Sequence, residues 1–440
     1  MLILQKYKLI SDKYFSSKLK KNSINAFILR VFGYGLLFLM HTMISQSIGT
    51  KGFGIFSFTL TLSSIISNFA TLGWPSLLLR LTAQYKEEKK WSFFRGSFIR
   101  GHQITFIIST IFCSSLWSIS YLLNIAEEMA FSFRFAAIFI FFLAFSLIRR
   151  KIFFGLQRIN ASIIPDDIIL PMLVIFVVYL FSVSNIKYIL TIYSITLILV
   201  FLIGSLWLLY CMPVEGRKSS PKFETKKWVI IALPMMMGGL SQMVMNRTDI
   251  LMLSAMTDMD SVGIYYAGSR IARLNVFVLG TIGMVAAPLF TSAFYGKRIN
   301  DYKKLLKKTM LWSGLGALPL FLFTMLMPKQ LLNLFGMEFT EGALILRILS
   351  ISMFINATTG PVGFALISSV GERQFGMSLG VTAVFNIIGN YFAIKMYGAV
   401  GAAYVTALSV IVLNVWQLVC VVLICSKYEK LYLKLEKGMV

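Results

Sequence analysis

Residues 187–211 read KYILTIYSITLILVFLIGSLWLLYC, with a single charged residue, Lys187, at the first position. About 20 consecutive apolar residues cross a bilayer as a helix, so this stretch is predicted to span a membrane once. Working outward, similar runs fall near 24–48, 53–79, 97–123, 129–148 and 161–184 on one side. On the other they fall near 228–254, 261–290, 309–333, 343–369, 377–396 and 398–424. The fold class that follows is an all-α polytopic membrane protein of about twelve transmembrane helices. Composition agrees. Of the 440 residues, 57% are hydrophobic and only 14% charged, and the mean hydropathy is +0.77, whereas soluble domains carry about 25% charged residues. Soluble Rossmann or TIM-barrel enzymes are excluded, and so is an outer-membrane barrel, whose strands alternate rather than run continuously apolar.

The net charge of +24 is explained by position rather than by nucleic acid, which is not expected as a partner. With a cytoplasmic N-terminus, 31 Lys and Arg residues fall on one side of the predicted spans. Only Lys51, Lys187, Lys329 and Lys395 fall on the other. This positive-inside asymmetry predicts a multi-pass protein with both termini in the cytoplasm. The basic segment 1–23 is expected to lie on the anionic headgroups, and the first apolar run to be an uncleaved anchor. No cofactor is expected. Cys113, Cys211, Cys420 and Cys425 form no CxxC pair, and His41 and His102 have no metal-binding company.

The chain divides at 213–227, where Pro213, Gly216, Ser219, Ser220 and Pro221 mix with charges. On either side a pattern recurs. Gly54-Ile55-Phe56 matches Gly263-Ile264-Tyr265 at an offset of 209, and Pro75 followed by Lys89-Lys90 matches Pro288 followed by Lys303-Lys304. The predicted domains are a basic N-terminal segment (1–23), a six-helix lobe (24–212), a cytoplasmic linker (213–227), a second six-helix lobe (228–424) and a basic tail (425–440). Six spans per half make a parallel repeat, for which a substrate site between lobes and a rocking motion are expected. Pro171, Pro234, Pro288, Pro319 and Pro361, with Gly238-Gly239 and Gly314-x-Gly316, supply hinge material. Gly376-xxx-Gly380 reads as a packing face.

Seven arginines remain inside predicted spans: Arg30, Arg100, Arg134, Arg247, Arg270, Arg273 and Arg347. Each costs about 2.5–3.5 kcal/mol at a helix centre on insertion scales. Arg100, Arg134 and Arg347 lie close enough to span ends to snorkel. Arg30, Arg247, Arg270 and Arg273 do not, and they are the candidate substrate-binding residues. Arg270 and Arg273 share a helix face. Gln242, Asn246 and Asp249 form a polar stripe at i, i+4 and i+7, His41 projects the same way as Arg30, and Asn386 and Asn390 form another i, i+4 pair. His41, Gln242, Asn246, Asn386 and Asn390 are expected to line the same cavity. Asp249 is either a structural ion pair or the carrier of a coupling ion. An excess of arginine points to an anion such as phosphate or pyrophosphate, which the guanidinium fork suits. Asp166-Asp167, after Pro165, fits the first turn of a helix. Neither a P-loop nor an H-E-x-x-H motif occurs, so no catalytic residue is assigned.

The run Ile48-Gly49-Thr50-Lys51-Gly52-Phe53-Gly54-Ile55-Phe56-Ser57-Phe58, followed by Leu72-Gly73-Trp74-Pro75, resembles the start of polysaccharide repeat-unit flippases. These are Wzx-type members of the multidrug/oligosaccharidyl-lipid/polysaccharide exporter superfamily. Arg247-Thr248-Asp249-Ile250-Leu251-Met252-Leu253 with Val262-Gly263-Ile264-Tyr265 resembles the junction between that family's seventh and eighth spans. Gly398-Ala399-Val400-Gly401-Ala402-Ala403-Tyr404 is similar to the start of its last span. The resemblance implies two six-helix bundles in a MATE-like V. It also implies movement of undecaprenyl-pyrophosphate-linked oligosaccharide from the cytoplasmic to the periplasmic leaflet of a bacterial inner membrane, for O-antigen or capsule synthesis. Its cationic cavity would correspond to Arg30, Arg247, Arg270 and Arg273. The implied partners are the lipid-linked oligosaccharide, membrane lipids and other polysaccharide assembly proteins. The alternatives are a peptidoglycan-precursor flippase or a multidrug cation antiporter of the same superfamily, and, from another class, a membrane polymerase or transferase.

Overall fold

Among the described residues of the computed structural model, nine helices are long and apolar enough to cross a membrane, and one bent pair adds a tenth. The structure describes residues 2–122 and 126–436, with side chains described for residues 25, 27–122, 126–283 and 285–429. The surface placement expected of the side chains of 1–23 therefore lies outside the described residues. Helix α1 (Leu2–Ala70) and the final helix (Glu372–Glu436) each hold two spans. They break at Gly49 (φ 66°, ψ −173°) and Gly398 (φ 56°, ψ −138°), backbone conformations that only glycine adopts without strain. With the breaks at Gly49 and Gly398 counted as boundaries, the described residues hold twelve segments of membrane-spanning length, and no strand occurs among them.

Two compact units make up the chain. The first comprises Met1–Ser47 and Ile66–Met237, the second Ile48–Ile65 and Gly238–Val440. These units differ from the lobes drawn on the sequence in two places. The segment 48–65 packs with the second unit, and the linker 213–227 belongs to the first. The linker is seated on its neighbour rather than spanning free: Arg95 donates to the Ser219 carbonyl at 2.7 Å and the Lys222 amide to Ser92 O at 3.0 Å.

In the first unit, α2 (Trp74–Glu87) starts behind the left-handed Gly73 with Pro75 in its first turn. Helices α3 (Trp91–Leu122) and α4 (Glu127–Gly155) follow. Next come the short α5 (Ile159–Ile163), a π-helical turn (Ile164–Ile169) and α6 (Leu170–Phe181). Helix α7 (Ile186–Cys211) is capped by Asn185, which accepts from the Lys187 amide at 2.8 Å. A turn of helix, α8 (Val214–Lys218), leads into α9 (Thr225–Met256), which starts in the first unit and ends in the second. Trp74 and Trp228, both fully buried, meet edge to face at the centre of this unit's core.

The second unit contains α10 (Met259–Arg273), capped by Asp258, and α11 (Phe277–Tyr295). It continues through α12 (Ile299–Leu326), α13 (Pro328–Asn333), α14 (Ala343–Thr359), α15 (Pro361–Ile367) and α16 (Glu372–Glu436). Its core gathers Phe290, Phe294, Tyr302, Val362 and Val421. Both units bury small and hydroxyl-bearing residues and turn large apolar ones outward. Thr59, Thr61, Ser63 and Ser67 are buried, while Leu122, Tyr179, Leu206 and Tyr210 are exposed. That is the distribution expected where lipid, not water, surrounds the helices.

The repeat-related glycines meet each other. A Cβ on Gly54 would overlap the Met259 carbonyl, and one on Gly263 would overlap the Thr50 carbonyl. The second half of α1 and the start of α10 therefore cross backbone to backbone. Beside the crossing, Thr50 Oγ1 donates to Asp260 Oδ1 at 2.5 Å. Phe53 is enclosed by Tyr266, Phe335 and Phe339 at centroid distances of 5.5, 5.8 and 5.8 Å. Gly54→Ala is expected to destabilise the protein by about 3 kcal/mol, the upper end of overpacking costs, because backbone rather than a side chain must move. Thermal unfolding of the purified variant checks this, with Gly35→Ala, where a Cβ meets nothing, as the neutral control. A methyl added at Gly376 or Gly380 also meets open space, so the packing role expected of that pair is not realised within the chain.

Candidate functional site

The seven span arginines separate by unit. In the second unit α9 and α10 bring Arg247, Arg270, Arg273 and Asp249 together, with Arg270, Arg273 and Asp249 all electrostatic neighbours of Arg247. Arg273 donates to the Asn246 carbonyl at 2.6 Å. Arg270 lies over the Tyr266 ring, 4.7 Å from its centroid, and donates to the Tyr266 hydroxyl. Its Nε is buried with no hydrogen-bond partner among the described residues. Of the three guanidinium groups, those of Arg247 and Arg273 stand beside the Asp249 carboxylate, and that of Arg270 neighbours Arg247.

Asp249 is 2% exposed and its carboxylate is occupied by Tyr265 rather than by an arginine. The Tyr265 hydroxyl donates to Oδ2 at 2.5 Å and the Ile250 amide to Oδ1 at 2.9 Å. Thr406 of α16 stands 3.4 Å beyond the Tyr265 hydroxyl. The stripe read from spacing divides by depth. Gln242 and Asn246 are exposed, whereas Asp249, two turns beyond Gln242 along α9, is covered by α10. Asn386 and Asn390 are buried and do not face open space. Asn390 Nδ2 donates to Asn386 Oδ1 at 3.0 Å and Asn386 Nδ2 to Ser409 Oγ at 3.1 Å, so the pair stitches the two halves of α16 together.

Arg30 and His41 belong to the first unit, Arg30 half-buried and His41 buried. Here the structure corrects the sequence reading. Arg149, Arg150 and Lys151, read as a loop, lie inside α4, which continues to Gly155. Asp166 and Asp167 do fall in a helical first turn, that of the π-helical segment after Pro165, and each is in addition paired to an arginine. Arg149 Nη2 meets Asp166 Oδ1 at 2.7 Å, and Arg150 Nη2 meets Asp167 Oδ2 at 2.9 Å. The turn follows from Pro171, which cannot donate to the carbonyl of Asp167 four residues earlier and would clash with it in an α-helix. That carbonyl lies instead against Gly33 of α1, where a Cβ would approach it to 2.9 Å. Arg149 is 2% exposed and also donates to the Val200 and Phe201 carbonyls at 3.3 and 2.9 Å. Gly204 of α7 leaves the space it fills.

The three end-of-span arginines are held by protein. Arg100 stacks on Phe223 and Arg134 on Tyr121, each at 4.6 Å, and Arg347 donates to Met325 O at 3.3 Å. A separate cavity of about 210 Å³ in the first unit is lined by Arg80, Tyr85, Lys90, Lys227 and Trp228, and none of the span arginines borders it. Sequence reasoning missed Tyr265, Tyr266 and the Arg149–Asp166 pair. The signal for the last was present as two adjacent arginines and two adjacent aspartates 17 positions apart in apolar surroundings.

The fold is similar to that of several membrane transporters of known structure. The chain superposes on an inward-facing multidrug resistance MATE family transporter of the MOP superfamily with a TM-score of 0.72 and 14% identity, covering 92% of this chain and 99% of that one. Lipid II flippase MurJ, in an inward closed conformation, gives 0.65 at 16% identity, over 90% and 87% of the two chains. A MOP superfamily transporter from Pyrococcus furiosus, described by a binding pocket of reverse polarity, gives 0.61 at 14%, over 93% and 96%. Residues 19–294 match the family described as polysaccharide biosynthesis protein, and the chain belongs to it. An uncharacterised membrane protein of Methanocaldococcus jannaschii is 25% identical over 221 residues, which are 46% of this chain. The match spans 42% of that relative's length.

Proposed function

We propose that this protein is a flippase for polyprenyl-pyrophosphate-linked oligosaccharide repeat units. It moves them from the cytoplasmic to the periplasmic leaflet for O-antigen or capsule synthesis, by alternating access and without covalent chemistry. The observation that carries the reading is the cluster of Arg247, Arg270 and Arg273 with one carboxylate, the Tyr265-bound Asp249, among them. Three positive charges against one negative in a membrane interior favour an anionic cargo and disfavour a cationic drug. Undecaprenyl pyrophosphate supplies the anion, and its tail stays in lipid. Asp249, held by Tyr265, is the group assigned to ion coupling.

Cells lacking the protein test this. They are expected to accumulate the completed lipid-linked repeat unit and to show no single unit at the surface, with both defects reversed by the full chain. Single units at the surface without chain growth would assign the protein to polymerisation instead. Accumulation of peptidoglycan precursor alone would move it to that cargo, which shares the pyrophosphate.

A further inference from the structure

We propose that Arg150 and Lys151 of α4, with Arg30 of α1, form an anion-binding site inside the first unit that takes a phosphate group of the cargo's pyrophosphate. The identity of the anion rests on the flippase reading; the site does not. Three consecutive cations of α4, Arg149, Arg150 and Lys151, stand against two carboxylates, Asp166 and Asp167, and Arg30 adds its charge beside Asp167. Both terminal nitrogens of Arg149 are engaged, sharing Asp166, Ser146 and the carbonyls of Val200 and Phe201. It is structural. Arg150 spends one nitrogen on Asp167 and keeps 32% of its side chain exposed.

Lys151 has neither a hydrogen bond nor an ion pair among the described residues, and its charged neighbours, Arg150 and Arg30, have its own sign. The close approach of Gly33 to Asp167 brings the α1 face that carries Arg30, one turn earlier, over this group. The nearby carboxyl end of α4 supplies only about half a negative charge, which leaves the Lys151 ammonium short of a counterion before Arg30 is counted. A pyrophosphate diester carries two negative charges, and a guanidinium fork beside an ammonium is a phosphate-binding pair. A positive-inside anchor needs cations, but not two from separate helices beside one carboxylate with a third, Lys151, next to both.

The test uses the full chain in nanodiscs of phosphatidylcholine, titrated with farnesyl pyrophosphate. Lys151→Gln removes a charge with no partner to orphan. It is expected to weaken binding about tenfold, the loss of one charge-assisted contact, with unchanged thermal unfolding. The neutral pair Arg150→Gln/Asp167→Asn is expected to weaken it similarly. Arg247→Gln in the second unit serves as the comparison. If Arg247→Gln weakens binding and Lys151→Gln does not, the first-unit site is overturned while the flippase reading stands. If the parent protein does not bind the probe, the flippase reading itself fails. If Lys151-dependent binding appears with phosphatidylglycerol nanodiscs and not with farnesyl pyrophosphate, the occupant is a lipid headgroup and the assignment to cargo is overturned.

Discussion

Purified Arg149→Ala protein is expected to unfold at a markedly lower temperature than its parent, by the equivalent of about 3–5 kcal/mol, the cost of breaking a buried ion pair from one side. The substitution strands the Asp166 carboxylate, which is 12% exposed and whose Oδ2 is already without a hydrogen bond. It also leaves the space opposite Gly204 unfilled. Lysine does not rescue, because one ammonium cannot reproduce the fork that joins Asp166 to two α7 carbonyls. The double variant Arg149→Met/Asp166→Leu should recover most of the loss, since a buried pair replaced as a unit by apolar groups is often neutral. Thermal melts of the three variants separate these outcomes. Equal melts for parent and Arg149→Ala would mean that the pair contributes nothing.

Asp249→Ala is expected to cost stability and export together. Removing the carboxylate leaves the buried Tyr265 hydroxyl with only Thr406 at 3.4 Å, a loss of about 1–3 kcal/mol for an unsatisfied polar group. It also removes the negative charge beside Arg247 and Arg273. Asp249→Asn restores a partner for Tyr265 and should regain most of the stability, yet still lose surface polysaccharide if Asp249 carries a coupling proton. A cycle with Tyr265→Phe is expected to give a coupling energy of about 1–3 kcal/mol. Additive effects would show that the 2.5 Å contact is energetically idle. Full export by Asp249→Asn would remove this residue from any ion-coupled step.

Much of the fold is legible in the sequence because bilayer thickness fixes span length. The break at Gly49 falls between the runs 24–48 and 53–79, and that at Gly398 comes at the first residue of the run 398–424 that follows 377–396. The second-unit cluster is legible in part, since helical spacing places Arg270 and Arg273 on one face. What spacing does not report is partner and depth. The first charges after a hydrophobic run look like its end, so Arg149, Arg150 and Lys151 read as a loop, although α4 carries them into the protein to meet aspartates that lie beyond it in the chain. Asp249 and Asn246 share a stripe, but only the packing of α10 buries one and leaves the other exposed. Gly54 and Gly263 are visible as marks of duplication. That they touch is a tertiary fact with no local signature.

The path of the backbone through the two units has a consequence for how the protein can be divided. The chain passes from one unit to the other three times, at 47/48, 65/66 and 237/238. A protease cut in the linker 213–227 severs one polypeptide into two without separating the units, because residues 48–65 stay lodged among the aromatic rings around Phe53. A fragment beginning at residue 228 lacks the ring that fills that nest, and a fragment ending at 212 carries a helix segment with nowhere to bury it. If the chain arose by duplication, its halves have since become obligate complements, each completed by a piece of the other's sequence.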